Sequence, residues 1–148
     1  MNSLQELYQE VILDHNRRPR NFRAIPDGVR QEGYNPLCGD RLVVYVSIAD
    51  GLVSDVAFEG AGCAISKASA SLMTEALRGK TVAVAQQIFA DFHEMITAPP
   101  TVAARDLGKL TALAGVREFP TRVKCASLAW HAVKAALDGA APAPVSTE

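Results

Sequence analysis

The chain has 148 residues, with 15 basic and 16 acidic side chains for a net charge of −1, and 49% of its residues are hydrophobic. That length and balance fit one globular domain with a core of its own. They argue against a nucleic-acid-binding surface, which needs a strong basic excess, and against a membrane span, which needs about 20 consecutive apolar residues. The opening stretch MNSLQELYQEVILDH is acidic and amphipathic, unlike a secretory leader, so the expected compartment is the cytoplasm.

Ser3 and Glu6 have capping-box spacing, and Leu4, Leu7, Tyr8, Val11 and Ile12 share one helical stripe. The first helix should end near His15 and Asn16, before Pro19. Arg17, Arg18, Arg20 and Arg23 follow in a loop, either as solvated surface or as a docking patch for an acidic partner. A short strand is expected around 29–32. From 41 to 49, Leu42, Val44, Val46 and Ile48 alternate onto one face, and Asp50-Gly51 is a tight hairpin signal. Residues 52–59 return as a third strand with Val56 and Phe58 inward.

After the strands the period changes to that of a helix. Ile65, Ala68, Leu72 and Ala76 predict a helix stopped by Gly79. Further helices are expected over 82–93 and 102–114, separated by Pro99-Pro100. The last helix carries Cys125, Leu128, Ala129, Ala132, Val133, Ala136 and Leu137 on a stripe held for three turns. Strands first and helices afterwards predict an α+β fold: a small antiparallel three-stranded sheet with several helices packed on one face. One domain should cover 1–138, and the Ala- and Pro-rich 139–148 reads as a disordered tail.

Three cysteines in a cytoplasmic protein are not expected to form disulfides, and an odd count leaves at least one thiol to explain. Cysteines can simply be small buried hydrophobes, but the settings here are particular. Cys38 lies in NPLCGD, and in extended backbone its side chain would share a side with Asp40. Cys63 lies in GAGC directly before a helix, and Cys125 in RVKC at the start of the last one. Positive potential at helix N-termini, together with Arg122 and Lys124, would favour thiolates.

Three thiolates and one carboxylate make a four-ligand set suited to tetrahedral zinc. No pair follows C-x2-C, so the spacing is not that of a zinc finger. An aspartate in place of a fourth cysteine or histidine hints at a site whose ligand can be exchanged. The histidines compete weakly: His131 lies well around the helix from Cys125, His15 suits a cap or surface position, and His93 an exposed helix position. No local signature supports a Cys/His nucleophile pair of the papain kind.

The segments NPLCGD, FEGAGCAISKASASLMTE and REFPTRVKCASLAWHAV, in this order, resemble the IscU/NifU-N-terminal family of iron–sulfur cluster assembly proteins. The 61 residues between Cys63 and Cys125, with a helical insertion over 81–114, resemble its SufU branch. So does Lys124, which stands where IscU-type scaffolds carry a histidine. The resemblance implies that Cys38, Asp40, Cys63 and Cys125 hold one Zn²⁺ per chain. It further implies a zinc-dependent sulfurtransferase that works as a sulfur shuttle with a SufS-type cysteine desulfurase. When the desulfurase docks, Cys38 would leave the zinc, a histidine of the partner would replace it, and a Cys38 persulfide would pass on to downstream iron–sulfur assembly proteins. Arg122 and Lys124 would offset the negative charge of the ligand set, with Arg122 pairing with Asp40. Gly33 and Gly39 would act as hinges, and the insertion would offer a docking surface. Two alternatives use the same residues: a scaffold that assembles and transfers a [2Fe–2S] cluster, for which Lys124 is no ligand, and a module whose zinc is only structural.

Overall fold

The structure, a computed structural model, describes residues 3–103 and 106–148. The expected capping box, which needs the Ser3 side chain, and the stripe positions Leu4 and Leu7 lie outside the described side chains. Alternating apolar residues produce a three-stranded antiparallel sheet in the order β1 (Val29–Asn35), β2 (Asp40–Ala49), β3 (Leu52–Ala61). The β2–β3 hairpin turns at Asp50 and Gly51, whose φ angles of 54° and 75° are those of the tight turn this residue pair favours. Leu42, Val44 and Val46 meet Val53, Val56 and Phe58 in the core. Ile48 does not join them. A register shift between Ser47 and Ile48 breaks the alternation, and Ile48 is 45% exposed.

Helix α4 (Pro120–Leu137) crosses the inner face of the sheet, and α2 (Ala64–Leu77) lies beside it. Leu128 sits so close to β1 that a Cβ on Gly33 would approach its Cδ1 to 3.1 Å. Gly33 is therefore a packing contact inside a strand, and the hinge expected there is not found. Helix α1 (Ser3–Arg17) packs on α2, with Ile12 buried and Tyr8 and Val11 partly so. Of the loop arginines, Arg20 pairs with Asp14 at 2.7 Å and Arg23 with Asp55 at 2.7 Å. That basic patch is thus partly neutralised by its neighbours.

The segment 81–114 contributes side chains to the core. Helix α3 runs over Val82–Thr97, four residues beyond its expected end, and buries Phe92, Met95 and Ile96. Phe92 stacks on Trp130 of α4, with ring centroids 4.1 Å apart. Of the helix expected over 102–114, positions 104 and 105 lie outside the described residues, and the described part forms a 3-10 helix over Gly108–Glu118. The Thr111 hydroxyl accepts from the Leu107 amide at 2.9 Å, and the Asp106 carboxylate from the Gly108 amide at 3.1 Å, so local caps set its start. Its residues Leu110, Ala112, Leu113, Ala114 and Val116 are buried, whereas Ala83, Val84, Gln86, Gln87 and Ala90 of α3 are exposed.

The segment 139–148, expected as a disordered tail, makes contacts with β1. Val145 pairs alongside β1: the Tyr34 amide donates to its carbonyl at 2.8 Å, and its own amide donates to Glu32 at 3.0 Å. The Gln31 side chain accepts from the Ala141 amide and donates to the Ala143 carbonyl. Backbone pairing on an open strand edge, rather than apolar periodicity, holds this segment. No described helix is long and apolar enough to cross a membrane.

Candidate metal centre

Three chain segments meet at one end of the sheet: the β1–β2 turn with Cys38, the β3–α2 junction with Cys63, and α4 with Cys125. Asn35 and Asp40 pair across the turn, and Gly39, at φ +78°, donates its amide to the Asn35 carbonyl at 2.8 Å. Cys38 therefore sits in a turn rather than in the extended backbone expected for it. Its Sγ nevertheless lies 3.3 Å from Asp40 Oδ2.

Asp40 is the hub. It is fully buried, its Oδ1 accepts from the Cys63 amide at 2.8 Å, and its Oδ2 is 3.8 Å from Cys63 Sγ. Cys63 is also the N-cap of α2, its Sγ accepting from the Ser66 amide at 3.4 Å. Cys125 Sγ is 4.0 Å from Cys38 Sγ. Among the described residues, Cys38, Asp40 and Cys125 form the cluster suited to a metal, their ligand atoms all within 4.8 Å of one another. Cys63 stands at its edge, joined through Asp40.

The donor set fits zinc. Ligand atoms around a tetrahedral Zn²⁺, with Zn–S near 2.3 Å and Zn–O near 2.1 Å, lie roughly 3.6–3.8 Å apart. The distances of 3.3, 3.8 and 4.0 Å lie within a few tenths of an ångström of these separations. A buried carboxylate also calls for compensation. Among the described residues no Lys, Arg or His forms an ion pair with Asp40.

Burial pushes the Cys38 thiol up, with opposing hydrogen-bond contributions from Asp40. It pushes Cys125 up strongly, reinforced by Asp40 and Cys63. The expected thiolate-stabilising helix terminus therefore does not govern Cys125. It is the sixth residue of α4, past the first turn where the helix field is felt, and buried. A dication within the cluster would reverse the balance, because a coordinating thiol is deprotonated outright.

Arg122 does not pair with Asp40. Its guanidinium lies 4.6 Å over the Phe119 ring, with Nη1 3.5 Å from the Tyr8 hydroxyl, on the exposed side of α4, whereas the carboxylate faces inward. Lys124 is exposed, and its carbonyl accepts from the Thr147 hydroxyl at 2.7 Å. The histidines stay outside the cluster. His15 is fully buried, not a surface cap, with Nδ1 2.7 Å from the Ser71 hydroxyl. His93 is exposed, as expected, and His131 is half-buried between it and Phe89.

One residue that the sequence reading passed over completes the site. A Cβ on Gly62 would lie 2.7 Å from Asp40 Oδ1, so only glycine lets the β3–α2 junction close over the carboxylate. The GAGC stretch carried that signal, since a glycine beside a candidate ligand marks close backbone approach.

Residues 7–138 match the NifU-like N terminal domain. The chain belongs to that family. The zinc-dependent sulfurtransferase SufU of Bacillus subtilis is 41% identical over 132 residues, covering 89% of this chain and 90% of that protein. The iron–sulfur cluster assembly scaffold protein IscU of Streptococcus pyogenes serotype M1 is 39% identical over 149 residues, covering 100% of this chain and 93% of that one. A solved structure, a putative iron–sulfur cluster assembly scaffold protein for the SUF system from Fervidobacterium islandicum AW-1, aligns with a TM-score of 0.80 at 32% identity. It covers 92% of this chain and 99% of the other. The resemblance read from the three cysteine segments, and the α+β sheet-and-helix fold, agree with these relatives.

Proposed function

We propose that this chain is a zinc-dependent sulfur acceptor in iron–sulfur cluster assembly, working in the cytoplasm with a SufS-type cysteine desulfurase. The observation that carries this reading is the convergence of thiols on one buried carboxylate, with Cys38 alone mounted on a turn. Cys38, Asp40, Cys63 and Cys125 would hold one Zn²⁺. Bound there, the metal would keep the thiols ionised at neutral pH and shield them from oxidation.

Cys63 is fixed as a helix cap and Cys125 lies within a helix, while Cys38 can swing with its turn about Gly39. The freed Cys38 thiolate attacks the outer sulfur of the partner's persulfide. A new S–S bond forms on Cys38, the partner's S–S bond breaks, and the partner's cysteine leaves as a thiolate. Cys38 then carries the persulfide to downstream iron–sulfur assembly proteins. Arg122 and Lys124, exposed near the start of α4, are the cations suited to the negative charge this chemistry gathers.

The test is sulfide and alanine production by a SufS-type desulfurase with excess thiol. This protein is added zinc-loaded, chelator-treated, and as Cys38→Ala. Stimulation by the zinc-loaded protein alone is expected. Equal stimulation by the chelated form, or sulfur uptake by Cys38→Ala, would overturn the proposal. The similarity to IscU scaffolds favours one second reading, a [2Fe–2S] cluster built on the same thiolates. Anaerobic reconstitution yielding a stable, transferable cluster would select it.

A further inference from the structure

The turn that carries Cys38 is tied to a residue 110 positions away in the sequence. Glu148 spans two consecutive amides of the turn: Oε1 accepts from Leu37 at 2.9 Å and Oε2 from Cys38 at 3.1 Å. The preceding residues tie the same segment to both flanks of the metal centre. Asn35, fully buried at the foot of the turn, accepts at Oδ1 from the Thr147 amide and the Ser146 hydroxyl, at 2.9 and 3.0 Å. Its Nδ2 donates to the Thr147 hydroxyl at 2.9 Å. That hydroxyl in turn donates to the carbonyl of Lys124, the neighbour of Cys125, at 2.7 Å. Behind them, Val145 is paired on the edge of β1.

These contacts share a logic. Each reaches the backbone or the buried base of a segment that delivers a ligand, and none reaches a ligand atom. A carboxylate accepting two backbone N–H groups makes charge-assisted hydrogen bonds, about twice as strong as neutral ones. The attachment is also reversible in kind. Its residues are mostly exposed, only Val145 packs against the core, and the β pairing is a single bridge. Leu37, beside Cys38, is 88% exposed, so a protein approaching Cys38 meets this segment and Leu37 together.

We infer that residues 141–148 form a strap that positions the Cys38 turn, with Glu148 as its clasp. Seated, the strap holds Cys38 against Asp40; lifted, it frees the turn to carry the thiol outward. Glu148 is a positioning residue, acting through the Leu37 and Cys38 amides. The holding role stands on geometry alone, while the consequence of release rests on the reading of Cys38 as the travelling acceptor.

The experiment compares the full chain with Glu148→Ala, Glu148→Gln and a deletion of 141–148, each with and without zinc. Two quantities are read: iodoacetamide alkylation of each cysteine, resolved by mass spectrometry, and amide hydrogen exchange of Leu37, Cys38 and α2. Glu148→Ala and the deletion should raise Cys38 alkylation about tenfold, roughly what one hydrogen bond to a charged group is worth. Exchange at Leu37 and Cys38 should speed up with it, while α2 protection stays constant. Glu148→Gln, which keeps one carbonyl acceptor, should fall between. Unchanged Cys38 reactivity and exchange would overturn the inference. So would an equal rise at all three cysteines with loss of α2 protection, because the tail would then support the whole fold. Neither readout involves a desulfurase, so failure here is separate from failure of the sulfur-acceptor proposal.

Discussion

Gly62→Ala is a sharp test of how Asp40 is held. The added methyl would lie 2.7 Å from Asp40 Oδ1, 3.1 Å from Cγ and 3.4 Å from Cβ. Non-bonded heavy atoms settle at roughly 3.5 Å, so the carboxylate must move by half an ångström or more. It has little room to do so, being fully buried with Oδ1 bonded to the Cys63 amide at 2.8 Å. Functional constellations tolerate displacements of only about 0.5 Å, and disturbing the support of a metal ligand typically costs about 10–100-fold in affinity. Zinc affinity should therefore fall by about 1.4–2.7 kcal/mol. The metal-free fold should lose about 1–3 kcal/mol from the overpacking. Competition with a chromogenic chelator measures the first quantity and urea unfolding the second. Gly51→Ala, at φ +75° in the distant hairpin with no atom within 4 Å of its added Cβ, is the control that strains the backbone without touching the site. Zinc binding by Gly62→Ala within twofold of the parent, in a folded protein, would refute the reasoning.

Two further predictions probe the scaffold. Burial lowers the His15 pKa from 6.5 to about 4, with Lys109 and Arg20 adding to the shift and Glu75 and Asp14 opposing it. Because the folded pKa lies below the unfolded one, the unfolded chain binds more protons, and stability is lost as pH falls from 6.5 toward 4. Between pH 7 and pH 5 this loss should be about 2 kcal/mol in urea unfolding, and His15→Gln should abolish that increment. Trp130 is fully buried, stacks on Phe92, and donates its indole N–H to the Ser69 hydroxyl at 3.1 Å. Trp130→Ala should destabilise the protein by about 3–5 kcal/mol, read from the same unfolding curves. A cost below 1 kcal/mol would mean that α3 is not integral to the core.

The sheet was readable because strict alternation and an Asp-Gly turn leave few alternatives, and the family resemblance was readable because three separate motifs occur in order. What escaped had specific physical causes. Ile48 follows the alternation in sequence but sits beyond a bulge, and nothing in the one-dimensional pattern marks where a ladder slips. The apolar spacing of 102–114 suits a helix, yet caps from Asp106 and Thr111 begin the helix at Gly108, and short polar contacts of this kind outweigh weak periodicity. Among the site residues, Cys38 and Asp40 could be paired from their spacing, although a turn rather than a strand brings them together. Arg122 was misdirected because sequence gives charge without direction around the helix. The strap was invisible for a different reason: Ala, Pro, Ser and Thr are held there by backbone edges and one buried asparagine, neither of which appears in composition.

The arrangement of the four candidate ligands is unequal, and the inequality follows from what holds each one. Asp40 is constrained on every side, by its strand, the Cys63 amide and the glycine that closes over it. Cys63 is committed as a helix cap, and Cys125 is fixed within α4, whose neighbours Ala126 and Trp130 are locked to Ser69. Cys38 has only a four-residue turn around a left-handed glycine, tied down by side chains from the far end of the chain. A purely structural metal site would gain from four equally rigid ligands, since every loose ligand adds an entropic cost to binding. Under the proposed function, a site with one ligand on a tethered turn, and an oxygen donor buried at its centre, suits that ligand leaving while the others stay in place.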